Sequence, residues 1–358
     1  MDAVLKRSLK AAGRPAETVA LADGTRLMLL PYGGRVLGLF APGDRENFFW
    51  VNPVLRRADA ARAFFASGRW QNLGGERTWI GPEYAFFFPD FPTLTNYRPP
   101  AVFDATTFKV RRTGQASGLA AEFRLRCHAP AAKVKVRLTK WLAAAPDPLR
   151  ADRSRAAWKQ VRYAGYTSRS ILELVETDSR ALTLGLWSLA QLPHGGEMLI
   201  PIYGQVKARI FFGLVPRGDL KESRGLIRYR MRSGGEHKIG VSALAGTGRI
   251  GYVCRSAENT AQLVVRNHLG NPSGEYRDAP ASAPAEGGSG VQACSVNNPE
   301  LGRFSELEHH APAVGAGAPR GEDAVQMWAY RGPPHQIAEA AELLLGAPAA
   351  MTYSALKQ

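Results

Sequence analysis

The sequence predicts an all-β fold of antiparallel sheets packed face to face, and three observations predict it. Apolar and polar residues alternate with a period of two through most of the chain, the spacing of strands with one buried face. The alternating runs follow one another with only Gly-, Pro-, Asp- and Ser-containing breaks between them, so hairpins rather than crossover helices join them. Convincing helical patterns are few, which leaves the strands to build a core against each other.

Along the chain, residues 2–12 carry a helical pattern and lie within an expected N-terminal extension, residues 1–17. The stretch TVALADGTRLMLLPYGGRVLGLFAP (18–42) reads as three strands joined at Asp23-Gly24 and Gly33-Gly34, dipeptides that tolerate positive φ. LRRADAARAFFAS (55–67) is a helix candidate that leads into WQNLGGERTWIGPEY (70–84), where Gly74-Gly75 and Gly81-Pro82 force turns. Strands follow at AEFRLRCH, KVKVRLTKW, SRSILELVE, ALTLGLWSLAQL, MLIPIY, ARIFFGLV, GLIRYRMR, HKIGVSAL, GRIGYVCR, AQLVVRNH, GVQACSV, RFSELEHH and AVQMWAY. RDAPASAPAEGGSG (277–290) and APAVGAGAPRG (311–321) read as loops whose small-residue composition cannot bury a core. PPHQIAEAAELLLGAP predicts a helix with Pro334 in its first turn, Ile337, Ala341 and Leu344 on its apolar face, and Gly346 as its stop. Composition does not shift between residues 18 and 331, so one large domain is expected there, followed by a C-terminal helix and tail over 332–358.

The 358 residues are 45% hydrophobic and 22% charged, the balance of an ordinary globular protein. A net charge of +15 raises the question of nucleic acid. In KVKVRLTKW, however, Lys133, Lys135 and Arg137 alternate with Val134, Val136 and Leu138, the pattern of a solvated strand face. No basic run or nucleic-acid-binding motif accompanies the charge, so nucleic acid is not an expected partner. Cys127, Cys254 and Cys294 are widely spaced and lack a CxxC pair, which makes them buried thiols rather than zinc or redox ligands. The first residues lack a signal-peptide core and no stretch approaches a membrane span, so a cytoplasmic protein without a membrane partner is expected. No phosphate loop, dinucleotide fingerprint, nucleophile elbow or two-histidine metalloprotease helix is present, and no cofactor is expected.

Candidate chemistry lies in three clusters. In the first, Asn72, Glu76, Arg77 and Glu83 supply hydrogen-bonding groups while Trp70, Trp79 and Tyr84 supply flat apolar faces, the two kinds of contact that a sugar ring uses. The plainer alternative is an Arg77–Glu83 ion pair closing a loop over core tryptophans. In the second, LGRFSELEHHAPA (301–313), strand alternation sends Glu306, Glu308 and His310 to one face and Leu307 and His309 to the other. Two carboxyl groups on one face are costly to bury together, which raises the pKa of one and makes it a usable acid or base. Glu306, Glu308, His309 and His310 are metal-ligating types, but the same alternation parts the two histidines and weakens a simple zinc site, so no metal is assigned and the cluster is left open. In the third, WSLAQLPHGGEMLIPI (187–202), Gln191 and His194 sit near a hairpin end.

Together, NPVL, NLGGERTWIGPE, WSLAQLPHGGEMLIPI and GRFSELEHHAPA resemble the pattern of the galactose mutarotase-like group, notably an uncharacterised bacterial branch with a domain of unknown function, over about residues 18–331. The resemblance implies a large antiparallel β-supersandwich with a few peripheral helices, whose concave face binds a small carbohydrate. In the aldose 1-epimerases of that group a late-chain glutamate is the general base and a mid-chain histidine protonates the ring oxygen. The late position falls on Glu306 or Glu308 here, and the GG-x-R segment gives Arg77 and Glu83 a binding role. The Asn-x-x-x-His-x-x-Phe segment that supplies the acid is missing, since WKQVRYAGYTSRSILELVE contains no histidine; His194 and His310 are the candidates to replace it. The expectation is acid–base chemistry by Glu306, Glu308 and His310 on a sugar held by Asn72, Arg77, Trp79, Glu83, Gln191 and His194. The alternatives are a carbohydrate-binding protein without catalysis, or a lyase or hydrolase on the same scaffold.

Overall fold

A computed structural model describes residues 2–151 and 158–357; Met1 and Gln358, the ends of the expected extension and tail, lie outside the described residues. Two antiparallel sheets carry the fold, as the alternation predicts. The front sheet runs Glu17–Ala20, Arg26–Leu30, Arg35–Phe40, Glu76–Gly81, Thr183–Pro193, Gly302–His310, Ser289–Asn298, Gly235–Ser242 and Arg209–Phe212, with the short Val314–Gly315 strand beside Thr183–Pro193. The back sheet runs Leu220–Ser223, Leu226–Arg230, Glu197–Pro201, Arg249–Ala257, Thr260–His268, Arg320–Gly332, Arg162–Thr177, Ala131–Ala144, Ala116–His128 and Lys109–Thr113.

The core forms where the inward residues of both sheets meet. Leu29, Val36, Ala190, Leu192, Ala293 and Leu307 of the front sheet pack against Tyr166, Ile200, Tyr252, Val264 and Met327 of the back sheet. KVKVRLTKW behaves as its alternation requires: Val134, Val136 and Leu138 are buried, while Lys135 and Arg137 pair with Glu122, Glu173 and Glu176 on the solvated face. Its last cation departs from the pattern, since Lys140 is buried against Glu76 at 2.8 Å.

Helices cover the outer faces. Leu5 and Leu9 of the Ala3–Ala11 helix pack on Met28, Leu30, Leu37 and Phe40 at one end of the front sheet. The Pro334–Leu345 helix lays Ile337, Ala341 and Leu344 on the back sheet and stops at Gly346, whose φ is +67°. Beyond it the segment read as a tail is a second helix, Ala349–Lys357. The two stretches read as loops are not purely surface: Asp278 and Ala279 are buried, and Arg320–Gly332 begins within the second. Among the described residues no helix is long and apolar enough to cross a membrane.

Candidate functional site

The WQNLGGERTWIGPEY segment contributes a strand rather than a corner. Gly74 and Gly75 take φ of +94° and +73°, and a Cβ on either would sit 2.5 Å from the carbonyl oxygen of Trp50 or Val36. Only glycine lets the backbone pass this close. The chain then enters the middle of the front sheet as Glu76–Gly81, with Trp79 opposite Trp187 and Arg77 opposite Leu189. Alternation turns Glu76 inward to Lys140 and turns Arg77 and Trp79 outward.

Register builds the site from there. Gln191, Glu306, Cys294 and Lys238 are successive partners across four adjacent strands, so they form one row on the outer face of the front sheet. A parallel row holds Arg77, Leu189, Glu308 and Gln292, and a third holds Trp79, Trp187 and His310. The expected split of the late strand holds: Glu306, Glu308 and His310 share the outer face, while Leu307 enters the core and His309 turns inward to Asp323, 2.7 Å away.

Over these rows lies a cavity of about 380 Å³. Its buried floor includes Arg77, Trp79, Trp187, Lys238, Cys294 and Glu306. Its rim is aromatic, with half-buried Trp70, Tyr84, Phe88 and Phe211 leading out to exposed Tyr97 and Phe212. The Glu83–Phe87 helix and residues 279–281 close two sides.

The polar contacts on the floor are directional. Arg77 Nη2 donates to Glu306 Oε1 at 3.0 Å and Arg77 Nη1 to Asn72 Oδ1 at 3.3 Å, while the guanidinium lies 3.8 Å from the Trp79 ring centre. Gln191 Nε2 donates to both Glu306 Oε1 and Asn72 Oδ1 at 2.8 Å. Glu306 Oε1 is thus held by two donors, and Oε2 accepts no hydrogen bond among the described residues. Lys238 Nζ reaches Glu83 Oε2 at 3.1 Å and Glu308 Oε2 at 3.3 Å, and Trp187 Nε1 donates to the same Glu308 oxygen at 2.7 Å. Tyr97 packs its ring on Phe87 and Phe88 and turns its hydroxyl onto Glu83 Oε1, 2.9 Å away, although the residue as a whole is exposed. Arg77 and Glu83, the pair that a closing loop would have joined, therefore hold different partners.

Burial and neighbouring charge set the protonation of Glu308 and Lys238. Burial pushes the Glu308 carboxyl up to about 8, and Glu306 and Glu83 push the same way against the opposing pull of Lys238. Burial works against the charge on Lys238, but Glu308, Glu83 and Asp278 outweigh it and hold the ammonium above its ordinary value. Four carboxyl groups (Glu83, Asp278, Glu306 and Glu308) surround two cations, Arg77 and Lys238. A proton on Glu308 reduces that excess, and its full burial is the largest cause that favours the proton there.

Several expected residues stand elsewhere or act differently. Glu308 is fully buried beneath the floor rather than facing the cavity. His310 does not line the cavity: it stacks on Trp187 at 5.4 Å and sits 3.5 Å from Asp278. Burial, with Lys238 and His309 adding to it, holds His310 well below the ordinary histidine value, which favours the neutral imidazole. His194 departs further, because its hairpin end opens onto a separate groove beside Arg232, Arg303 and the C-terminal helix. There burial, with Arg303 and His237, lowers it to about 4. Asn72 and Gln191 are buried and act through Glu306 and Arg77 rather than as part of the cavity wall.

Lys238 carries no signal of its own, since one lysine in HKIGVSAL reads as a solvated strand residue. Asp278 was hidden in a segment that reads as a loop, yet it accepts from the Glu83 backbone N–H and from Gln292 Nε2. Trp187 stood within an apolar strand and carried a signal in its neighbours Gln191 and His194. Cys294 brings a donor atom within 4.8 Å of donors on Glu306 and Glu308. That spacing suits a metal ion, and Arg77 and Lys238 pair with the same two carboxylates.

Solved structures with a similar chain path include a protein solved as HI1317, 7% identical over 88% of this chain and 92% of that one with a TM-score of 0.41. Galactose 1-epimerase from Lactobacillus acidophilus NCFM is 10% identical over 88% of this chain and 94% of that one, with a TM-score of 0.40. The GH36 alpha-galactosidase AgaA from Geobacillus stearothermophilus is 11% identical over 90% of this chain, with a TM-score of 0.36, and the match spans 42% of that longer chain. Comparison with curated protein sequences gives no match. Residues 9–326 match a family of unknown function, DUF6786, and the chain belongs to that family.

Proposed function

We propose that the chain binds a carbohydrate in the cavity above Glu306 and acts on it by acid–base chemistry, with Glu306 as the proton acceptor. The observation that carries this is the state of Glu306: one carboxylate oxygen is fixed by Arg77 and Gln191, and the other is unpartnered among the described residues on a cavity floor. A positioned carboxylate of this kind is what proton abstraction needs. The surrounding wall combines charged groups with flat tryptophan and tyrosine faces, the two contact types of a sugar ring. The motif resemblance described above points to the same class of ligand.

The anomeric hydroxyl is the first choice of reacting group. Glu306 takes its proton, the bond from the anomeric carbon to the ring oxygen breaks, and the electron pair passes to the ring oxygen. The Lys238 ammonium, two strands away in the same row, meets the charge that develops there. Reclosure on the other face of the carbonyl returns the proton from Glu306. Exchange spectroscopy on a panel of aldohexoses tests this: the wild type accelerates anomer exchange, and Glu306→Gln lowers the rate by about 100-fold or more while calorimetry still shows the sugar bound. Equal rates in the two proteins would remove Glu306 from the chemistry.

A second reading, binding without turnover, is favoured by one observation: both histidines considered as the acid lie off the cavity and are held neutral. Saturable sugar binding by a wild type that leaves anomer exchange at its uncatalysed rate decides for that reading.

A further inference from the structure

The charged groups of the cavity are concentrated away from its aromatic lip. Arg77, Lys238 and Glu306 stand on the floor, Glu83 on one side and Glu236 at an exposed edge, whereas the way out on the other side passes Tyr84, Phe88 and Phe211 to Phe212, which is 39% exposed, and Tyr97, 46% exposed. A free hexose displays hydroxyls on every side, and each one buried against an aromatic wall loses its water without gaining a partner. The floor and Glu83 offer partners to one such ring; the aromatic lip around Phe88, Phe211 and Phe212 offers none to a second. Large exposed aromatic and aliphatic residues gathered at a cavity mouth mark a surface kept for contact, and here Ile210 and Leu214 continue the apolar lip along the chain from Phe212.

We propose that the ligand is amphipathic: a single sugar ring on the floor carrying an aryl or alkyl group that leaves past Phe212. This rests on the carbohydrate reading of the floor and adds the class of substituent. The occupant of the rim is then part of the same molecule, carried on a sugar oxygen other than the anomeric one, and its rings or methylenes pack against the aromatic lip; glycosides serve as binding probes of that lip.

Calorimetry of the full chain with matched methyl and 4-nitrophenyl glycosides of glucose, galactose and mannose, in both anomers, tests it. The expected result is that for at least one sugar the aryl glycoside binds on the order of tenfold tighter than its methyl partner. Phe212→Ala, an exposed position outside the polar floor, should abolish that advantage while leaving the methyl glycoside unchanged. Equal affinity of the two glycosides in the wild type, or an equal loss for both in Phe212→Ala, overturns the aryl proposal and leaves the sugar site standing. Failure of every glycoside to bind overturns both.

Discussion

At the residue scale the account turns on Lys238, a buried cation on which two carboxylates depend. Removing one member of a buried ion network leaves uncompensated charge, so Lys238→Met is expected to cost about 3–5 kcal/mol of stability, read as a lower urea midpoint at an unchanged slope. Glu308→Gln in the same background should return part of that loss, because the partner left unpaired is gone; two losses that simply add would contradict the pairing. Glu308 also predicts a pH dependence. Its carboxyl lies near 4.5 when unfolded and near 8 when folded, so between those values the folded state binds more protons. Stability therefore falls as pH rises from about 5 to 8. Lys238 stays charged in both states across this window and adds no slope. The difference in unfolding free energy between the wild type and Glu308→Gln should thus shift against the wild type as pH rises. A difference that is flat across the window would show that Glu308 is ionised throughout in the folded protein.

At the element scale the site depends on one short strand, Glu76–Gly81, threaded between Arg35–Phe40 and Thr183–Pro193. Its entry needs Gly75, so Gly75→Ala, which puts a Cβ 2.5 Å from Val36 O at positive φ, should destabilise by at least about 2 kcal/mol and weaken any ligand bound above Arg77. Thermal unfolding and calorimetry of that variant check both effects. This strand was also the hardest element to find in the sequence. Strands such as KVKVRLTKW are legible because one face is wet, whereas ERTWIG is buried on both faces and places a charge on each: Glu76 faces Lys140 inward, and Arg77 faces Glu306 outward. Alternation cannot be seen where both faces need side chains of the same burial. The C-terminal helix was legible for the opposite reason, since its start, apolar face and glycine stop all act locally.

At the scale of the whole molecule, net charge and site charge have opposite signs. The chain carries +15 overall, yet the site gathers four carboxyl groups around two cations. Buried pairs of this kind are poorly screened, so the affinity for a neutral sugar should change less than about threefold between roughly 0.05 and 0.5 M salt. A steep linear fall with log salt would instead indicate a polyanion bound on the basic surface. The same contrast explains how far the site could be read in advance. Glu306, Glu308 and His310 were placed on one face by a rule that acts within one strand. That Arg77, 229 residues earlier, is the partner of Glu306, and that Glu308 lies under the floor, follow only from how nine strands are ordered. The central claim is that the cavity over the Gln191–Glu306–Cys294–Lys238 row is a carbohydrate site. The most direct measurement is a calorimetric titration of hexoses and their methyl glycosides against the wild type and Ala281→Trp, a substitution that adds bulk on the cavity side closed by residues 279–281. The account predicts saturable binding of at least one sugar by the wild type and none by Ala281→Trp at an unchanged melting temperature. Equal binding by both proteins, or none by the wild type, would contradict it.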